Sequence, residues 1–177
     1  MTPPYSTSHA YWLAVLAMAV VVLASNVLVG YPINDWLTWG AFTYPVAFLI
    51  SELVNRRFGP VRARRVAAVG FAVAVAASLL LAPMRIALAS GLAFLLAQLL
   101  DIHVFDRLRA QRWWRAPLVA SVAAAVLDSA VFWGMGFAGT SGPWLTWALG
   151  DLAVKLAVAV GLLLPFRLLM GQRAAAQ

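Results

Sequence analysis

The chain has 177 residues, of which 64% are hydrophobic and only 11% charged, and it carries a net charge of +7. Because soluble domains are about half apolar and about a quarter charged, this composition excludes an ordinary soluble domain and indicates an all-α membrane protein. The absence of cysteine excludes disulfides and thiol chemistry, and two histidines are too few for a multi-histidine metal site.

Six apolar segments follow one another along the chain. A transmembrane helix needs roughly 20 predominantly apolar residues. The predicted spans are 11–29, 39–54, 66–81, 86–105, 117–137 and 144–169. They predict a single six-helix transmembrane domain over residues 1–177, with disordered tails at 1–9 and 171–177. Residues 1–11 contain no Lys or Arg, so we expect the first segment to be a retained span and not a signal peptide.

The arginines are distributed unevenly between the two ends of these spans. The segments after the second and fourth spans hold five and four arginines, whereas those after the first, third and fifth hold only Arg85. Cytoplasmic loops of membrane proteins carry the excess of Lys and Arg. The pattern therefore predicts a multi-pass membrane protein with both termini in the cytoplasm, which agrees with an even number of spans.

Several polar side chains fall inside the apolar segments, where a charge costs about 3 kcal/mol on insertion scales. Asp128 lies near the middle of the fifth span, and Lys155 lies near the middle of the sixth, one helical turn after Asp151. Such residues usually face a cavity or a partner. The others are Asn26 in the first span, Glu52 in the second, and Gln98 and Asp101 on one face of the fourth.

Each of these residues also has a structural interpretation. Asp151 and Lys155 could form an ion pair along one helix face, and Asp128 could neutralise Lys155 across two helices. Glu52 could pair with neighbouring arginines at the membrane interface, and Asp101 could do the same at the end of its helix. The sequence alone leaves these alternatives open.

Aromatic side chains within the spans add a different property. The candidates for stacking on a flat ligand are Phe42, Tyr44, Phe48, Phe132 and Trp133. A carboxylate can accept hydrogen bonds from adjacent ring N–H and exocyclic amino groups, and an amide side chain can pair with a ring carbonyl. Acids, amides, a lysine and aromatics at membrane depth are therefore consistent with a planar heteroaromatic ligand.

Residues 40–66, GAFTYPVAFLISELVNRRFGPVRARRV, form the most distinctive block of the chain. Further blocks lie at 24–26, at 97–105 with Gln98 and Asp101, and at 113–132 with Asp128, and Lys155 follows in the last span. In order and spacing, these blocks resemble the queuosine precursor transporter family, also called the vitamin uptake transporter (VUT) family, over roughly residues 24–165. Glu52 stands where that family more often has Asp.

This resemblance implies a six-helix fold similar to the substrate-binding subunits of energy-coupling-factor vitamin importers. It also implies import of queuosine precursors, 7-deazaguanines such as preQ0 or preQ1, across the bacterial inner membrane, and we expect no cofactor. The alternative is a substrate-binding subunit for another vitamin that works with an ATP-driven module. That module would have to be another protein, because the chain has no Walker motif of its own. A membrane enzyme is a further alternative that the residues disfavour, because the chain has no cysteine and no central histidine for a nucleophile–base pair or a metal cluster. The partners expected are a nucleobase-like small molecule and the lipid bilayer, with no nucleic acid, and small-residue faces permit a homodimer.

The predicted substrate site centres on Asp128, which we expect to bind the donor edge of the base. Asn26, Gln98 and Glu52 supply other polar contacts, an aromatic side chain stacks on the ring, and Lys155, held by Asp151, tunes Asp128 or moves during transport. The complete set of predicted substrate-binding residues is Asn26, Phe42, Tyr44, Phe48, Glu52, Gln98, Asp101, Asp128, Phe132 and Lys155.

Overall fold

The computed structural model describes residues 4–28, 31–34, 36–81 and 83–171, and this part of the chain is almost entirely helical. Its helices are α1 (Pro4–Leu28), α2 (Gly40–Thr43), α3 (Pro45–Phe58), α4 (Pro60–Leu81), α5 (Met84–Leu108), α6 (Arg115–Phe137) and α7 (Trp144–Gly171). Between α1 and α2, strands β1 (Pro32–Asn34) and β2 (Leu37–Thr38) pair in an antiparallel hairpin.

Four helices are long and apolar enough to cross a membrane: Pro60–Leu80, Met84–Leu108, Arg115–Phe137 and Trp144–Met170. The first helix contributes a shorter apolar segment, His9–Ser25. Large apolar side chains are exposed along the outer faces of the helices, as a lipid-facing surface requires. The chain is therefore a multi-pass helical membrane protein.

The predicted second span, 39–54, is divided in two. Proline lacks an amide hydrogen and its ring clashes with the preceding turn, so the helix is interrupted before Pro45. Tyr44 stands at the junction of α2 and α3 with helical angles, φ −57° and ψ −42°. The second part continues to Phe58, where Gly59 adopts φ +85° and allows the sharp turn into α4.

Other predicted boundaries also lie further out than the apolar pattern indicates. The fourth helix begins at Pro60, so Arg62, Arg64 and Arg65 lie in its first turns as exposed side chains and not in a loop. The first helix begins at Pro4, within the predicted disordered tail 1–9, and the last helix continues to residue 171. Hydropathy locates only the apolar centre of a helix. The backbone hydrogen bonds continue into the polar ends, so the helix is longer than its apolar segment. Residues 1–3 and 172–177 of the predicted tails lie outside the described residues.

Small residues allow the helices to pack closely. The most extensive helix contact joins α5 and α6, where alanines are buried on both helices. Small side chains are typical of helix interfaces in membranes, because they let the backbones approach. A separate apolar cluster joins α1, α3, α4 and α5 and includes Met18, Val54, Val66 and Phe94.

The hairpin between α1 and α2 lies against the first turns of α7. A Cβ atom added at Gly150 would stand 2.8 Å from the backbone oxygen of Trp36. Only glycine permits this approach without displacing backbone atoms. The contact fixes the hairpin over the end of the helix bundle, next to Asp151.

We expect the substitution Gly150→Ala to lower the melting temperature of the purified protein in detergent, because the new methyl group would push the hairpin from α7. Overpacking of this kind costs about 1–3 kcal/mol. Gly161→Ala on the same helix is the matched control, since its Cβ would meet nothing within 4 Å. Equal melting temperatures for the two variants would contradict the close approach.

Candidate functional site

A cavity of about 500 Å³ lies between the helices at the end of the bundle that carries the hairpin. The hairpin, Pro83 before α5, and the aromatic ends of α6 and α7 all contribute to its wall. The volume is in the range of small-molecule sites. The side chains that matter chemically are Trp36, Tyr44, Phe94, Asp128, Phe132, Trp133, Phe137, Trp147, Asp151 and Lys155.

Three charged side chains form an ion cluster on the cavity wall. The Nζ atom of Lys155 donates to Oδ2 of Asp128 at 2.6 Å and to Oδ2 of Asp151 at 2.5 Å. The side chains of Lys155 and Asp128 are 5% exposed and that of Asp151 is 14% exposed. The structure thus contains both ion pairs that the sequence allows. Lys155 pairs with Asp151 along α7 and with Asp128 across to α6. Two carboxylates and one ammonium leave the cluster with one formal negative charge.

Neutral donors complete this ion cluster. The Tyr44 hydroxyl donates to Oδ1 of Asp128 at 2.8 Å, and its ring centroid lies 5.2 Å from Nζ of Lys155. Ser129 Oγ and Trp133 Nε1 donate to Oδ2 of Asp151 at 2.9 and 3.2 Å. Both oxygens of Asp128 thus have donors. At Asp151, every donor in the described part of the chain points at Oδ2, which leaves Oδ1 as the oxygen open to a ligand.

Aromatic rings form the neighbouring wall, where α6 ends and α7 begins. The ring centroids of Trp133 and Phe137 are 4.8 Å apart, and those of Trp133 and Trp147 are 6.0 Å apart. The Phe132 ring packs edge-on against Trp133 at 5.2 Å. Since Trp133 also binds Asp151, a flat apolar surface and a carboxylate are held side by side.

The ten predicted substrate-binding residues occupy different places. Tyr44, Asp128, Phe132 and Lys155 line the cavity. Phe42 is 41% exposed and lies outside the cavity wall, and the side chain of Asn26 lies outside the described residues. The remaining four are buried deeper between the helices and line no part of the cavity: Phe48, Glu52, Gln98 and Asp101.

A second polar cluster lies between α3, α5 and α6. Ser121 Oγ donates to Oε1 of Glu52 at 2.7 Å, and Ser51 donates to the Gln98 side-chain oxygen. Asn55 Nδ2 donates to the backbone oxygen of Ile102 at 2.9 Å, so Glu52 on α3 and Asp101 on α5 are neighbours. A buried apolar layer separates this cluster from the cavity and consists of Phe48, Ala97 and Ala124. Glu52 and Asp128 therefore belong to two different sites.

Sequence reasoning missed part of the aromatic wall. Trp36, Phe137 and Trp147 lie near the ends of apolar segments, where aromatic side chains are expected as interfacial anchors. Nothing in their spacing distinguishes a ring that faces headgroups from one that faces a cavity. Among the described residues, no group of three or more His, Cys, Asp or Glu side chains could hold a metal ion.

Comparisons with known proteins agree on one family. A family model described as "Putative vitamin uptake transporter" matches residues 38–170. A protein of Escherichia coli named "Queuosine precursor transporter" is 33% identical over 187 aligned positions, which cover 88% of this chain and 83% of the relative. A protein of Haemophilus influenzae named "Probable queuosine precursor transporter" is 32% identical over 154 positions, covering 72% of this chain and 66% of that relative. No solved structure matches the chain.

The ion cluster makes a prediction about stability. Lys155→Met should lower the melting temperature strongly, because the carboxylates of Asp128 and Asp151 would lose their common cation. Removing one partner of a buried ion pair costs about 3–5 kcal/mol. Arg167→Met is the matched control on the same helix, since Arg167 is exposed and its guanidinium lies over the Trp113 ring. If the two variants melt alike, the cluster contributes no stability.

Proposed function

The chain belongs to the vitamin uptake transporter family, and on that premise we propose that it imports queuosine precursors, 7-deazaguanines such as preQ0 or preQ1. Both relatives are named as transporters, and the family is one of transporters and not of enzymes. The observation that carries the substrate proposal is the cavity in which carboxylates stand beside an aromatic wall.

The ion cluster supplies the polar recognition. A deazaguanine ring presents a ring N–H and an exocyclic amino group side by side, and a carboxylate accepts from both. Asp151 Oδ1 is the oxygen available for a first contact. Asp128, which the sequence singles out for this role, binds the base once Tyr44 or Lys155 gives up its hydrogen bond. The base then replaces a protein donor, so the carboxylate is not left unpaired.

The aromatic wall supplies the stacking surface. Trp133 is the ring best placed for this, because its indole N–H already binds the Asp151 carboxylate. A base stacked on Trp133 or Phe132 would have its donor edge beside that carboxylate. Aromatic pairs contribute about 0.5–1.5 kcal/mol beyond the area they bury.

A six-span topology with the cavity at the outer end fits this function. The first helix is 25 residues long, and α2 and α3 together cover residues 40–58, about 28 Å at 1.5 Å per residue. These two segments supply the spans beyond the four apolar helices. Arginines cluster at the opposite end, where Arg56 and Arg109 donate to each other's backbone oxygens. The positive-inside rule then puts that end and both termini in the cytoplasm of a bacterial cell.

Uptake of labelled preQ1 by cells that lack their own transporter tests the substrate-binding role of the carboxylates. Asp128→Asn and Asp151→Asn should each reduce uptake about 10- to 100-fold, because a hydrogen bond to a charged group contributes about 1.5–3 kcal/mol. The control is Asp106→Asn, which removes an acid that is paired with Arg109 away from the cavity. Unchanged uptake by both cavity variants would refute the role of the cluster.

Thermal melting with preQ0, preQ1, queuine, guanine and common vitamins tests the substrate itself. A ligand at 100 times its Kd stabilises the folded protein by about 2.7 kcal/mol and raises the melting temperature. We expect a rise with the deazaguanines that Trp133→Ala weakens and Trp113→Ala leaves unchanged, since Trp113 lies under Arg167 away from the cavity. A rise with another vitamin alone would favour the ATP-dependent alternative.

A further inference from the structure

The Glu52–Asp101 pair has an unusual environment. Glu52 on α3 is 3% exposed and Asp101 on α5 is 0% exposed. The hydrogen bonds Ser51–Gln98 and Asn55–Ile102 on either side of them hold the two acids next to each other between α3 and α5. Neither oxygen of Asp101 has a hydrogen-bond donor in the described part of the chain. The side-chain nitrogen of Gln98, one turn before Asp101, is also buried without a described partner.

The charged groups of the surrounding helices are engaged elsewhere. Lys155 of α7 binds Asp128 and Asp151, Arg62 of α4 lies over the Phe58 ring, and Arg109 after α5 pairs with Asp106. On α3 itself, Arg56 donates to a backbone oxygen and Arg57 contacts the Phe58 ring. Further groups on α1, α5, α6 and α7 are exposed: His9, His103, Arg107, Arg115 and Arg167. Within the described residues, no lysine or arginine forms an ion pair with Glu52 or Asp101.

Two ionised carboxylates cannot remain in contact in such a place. Each has lost its hydration, and the two repel each other without a cation between them. One proton resolves both problems, because a protonated carboxyl donates to the ionised one. A larger ligand does not fit beside Asp101, since its oxygens have essentially no surface that a water molecule could touch.

The pair lies between two apolar clusters, which differ in their number of buried side chains. Towards the cavity stands the single layer of Phe48, Ala97 and Ala124. Towards the arginine-rich end stands a larger cluster built around Leu49, Phe105, Ala116, Ala120 and Phe166. One layer of three side chains therefore stands between the pair and the cavity.

The helices that carry the pair also carry the cavity wall. Along α3, Tyr44 and Glu52 are two helical turns apart, about 12 Å. Along α6, Asp128 and Ser121 are seven residues apart, about 10 Å, and Ser121 is the donor to Glu52. Because Ser121 of α6 donates to Glu52 of α3, a shift of α3 against α6 would also move this donor relative to Glu52.

We propose that Glu52 and Asp101 form a proton-binding site that couples uptake to proton entry, one proton with each substrate. The proposal rests on the proposed import function. A hydronium ion in the cavity gives its proton to one carboxylate of the pair, which forms an O–H bond and leaves a water molecule behind. This proton removes the repulsion between the two carboxylates, so α3 can stay packed on α5. When the helices part towards the cytoplasm, water reaches the pair, the O–H bond breaks and the proton leaves on the same side as the substrate.

Transport into liposomes by the purified full chain tests the coupling. With the membrane potential clamped and labelled preQ1 as the probe, a gradient of one pH unit, acid outside, should drive up to about tenfold accumulation, because one proton then contributes about 1.4 kcal/mol. Asp101→Asn and Glu52→Gln should abolish this accumulation and keep counterflow exchange of preQ1. Asp106→Asn, a half-buried acid on the same helix that is paired with Arg109, is the matched control and should accumulate preQ1 as the wild type does.

The outcomes separate this proposal from the proposed function. Wild-type exchange of preQ1 without any response to the pH gradient would overturn the coupling and leave the import function standing. Absence of both preQ1 exchange and a preQ1-dependent rise in melting temperature would overturn the import function, and the coupling would fall with it. Exchange lost in both variants, with melting temperatures unchanged, would mean that the pair binds substrate and would overturn its assignment to a proton.

A measurement without substrate tests proton binding alone. Infrared spectra of the wild type at neutral pH should show the carbonyl band of a protonated carboxyl group that is absent from Asp101→Asn. Its absence from the wild type would overturn the proposal. Since the new amide can still donate to Glu52, we expect Asp101→Asn to fold, which melting and size-exclusion chromatography check.

Discussion

The bridge from Lys155 to Asp128 and Asp151 is the interaction on which the cavity depends. A lone charge at membrane depth is costly, so each of these side chains needs the others to be tolerated there. By pairing along α7 and across to α6, Lys155 fixes both helices against each other at the cavity. Tyr44 adds the third side, since its hydroxyl binds Asp128 from the junction of α2 and α3. The polar groups of the wall are therefore hydrogen-bonded mostly to one another. A polar ligand can replace one of these partners.

The interruption of the second apolar segment has a direct consequence for this arrangement. Pro45 ends the short α2 and starts α3, so the chain can present Tyr44 to the cavity and still bury Phe48 one turn later. The same helix then carries Glu52 into the second polar cluster. One helix thus links the cavity, the apolar layer and the buried acid pair in register, at one-turn intervals. Alanines on α5 and α6 complete the layers, because their small side chains let these helices pack closely around α3.

The two polar clusters lower the free-energy cost of burying charge in a bilayer in different ways. The cavity cluster contains its own cation, so its formal charge is close to balanced. The Glu52–Asp101 pair contains none within the described chain, and neutral side chains surround it. A site of the first kind suits a ligand with donors, and a site of the second kind suits a proton. Substrate recognition and energy coupling can then be separate sites that share α5 and α6.

The sequence by itself determined the helical membrane class and which ionisable residues fall inside the apolar segments. These properties follow from apolar length and from local spacing; the pair Asp151 and Lys155 is an example, because residues four apart on a helix always share a face. The family resemblance likewise follows from local blocks. The tertiary structure decided that Asp128 and Glu52 lie in different sites, that Asp151 has the open oxygen, and that Trp147 faces the cavity. Contacts between helices depend on their rotation and packing, which arise from all the helices together, so spacing along one helix cannot predict them.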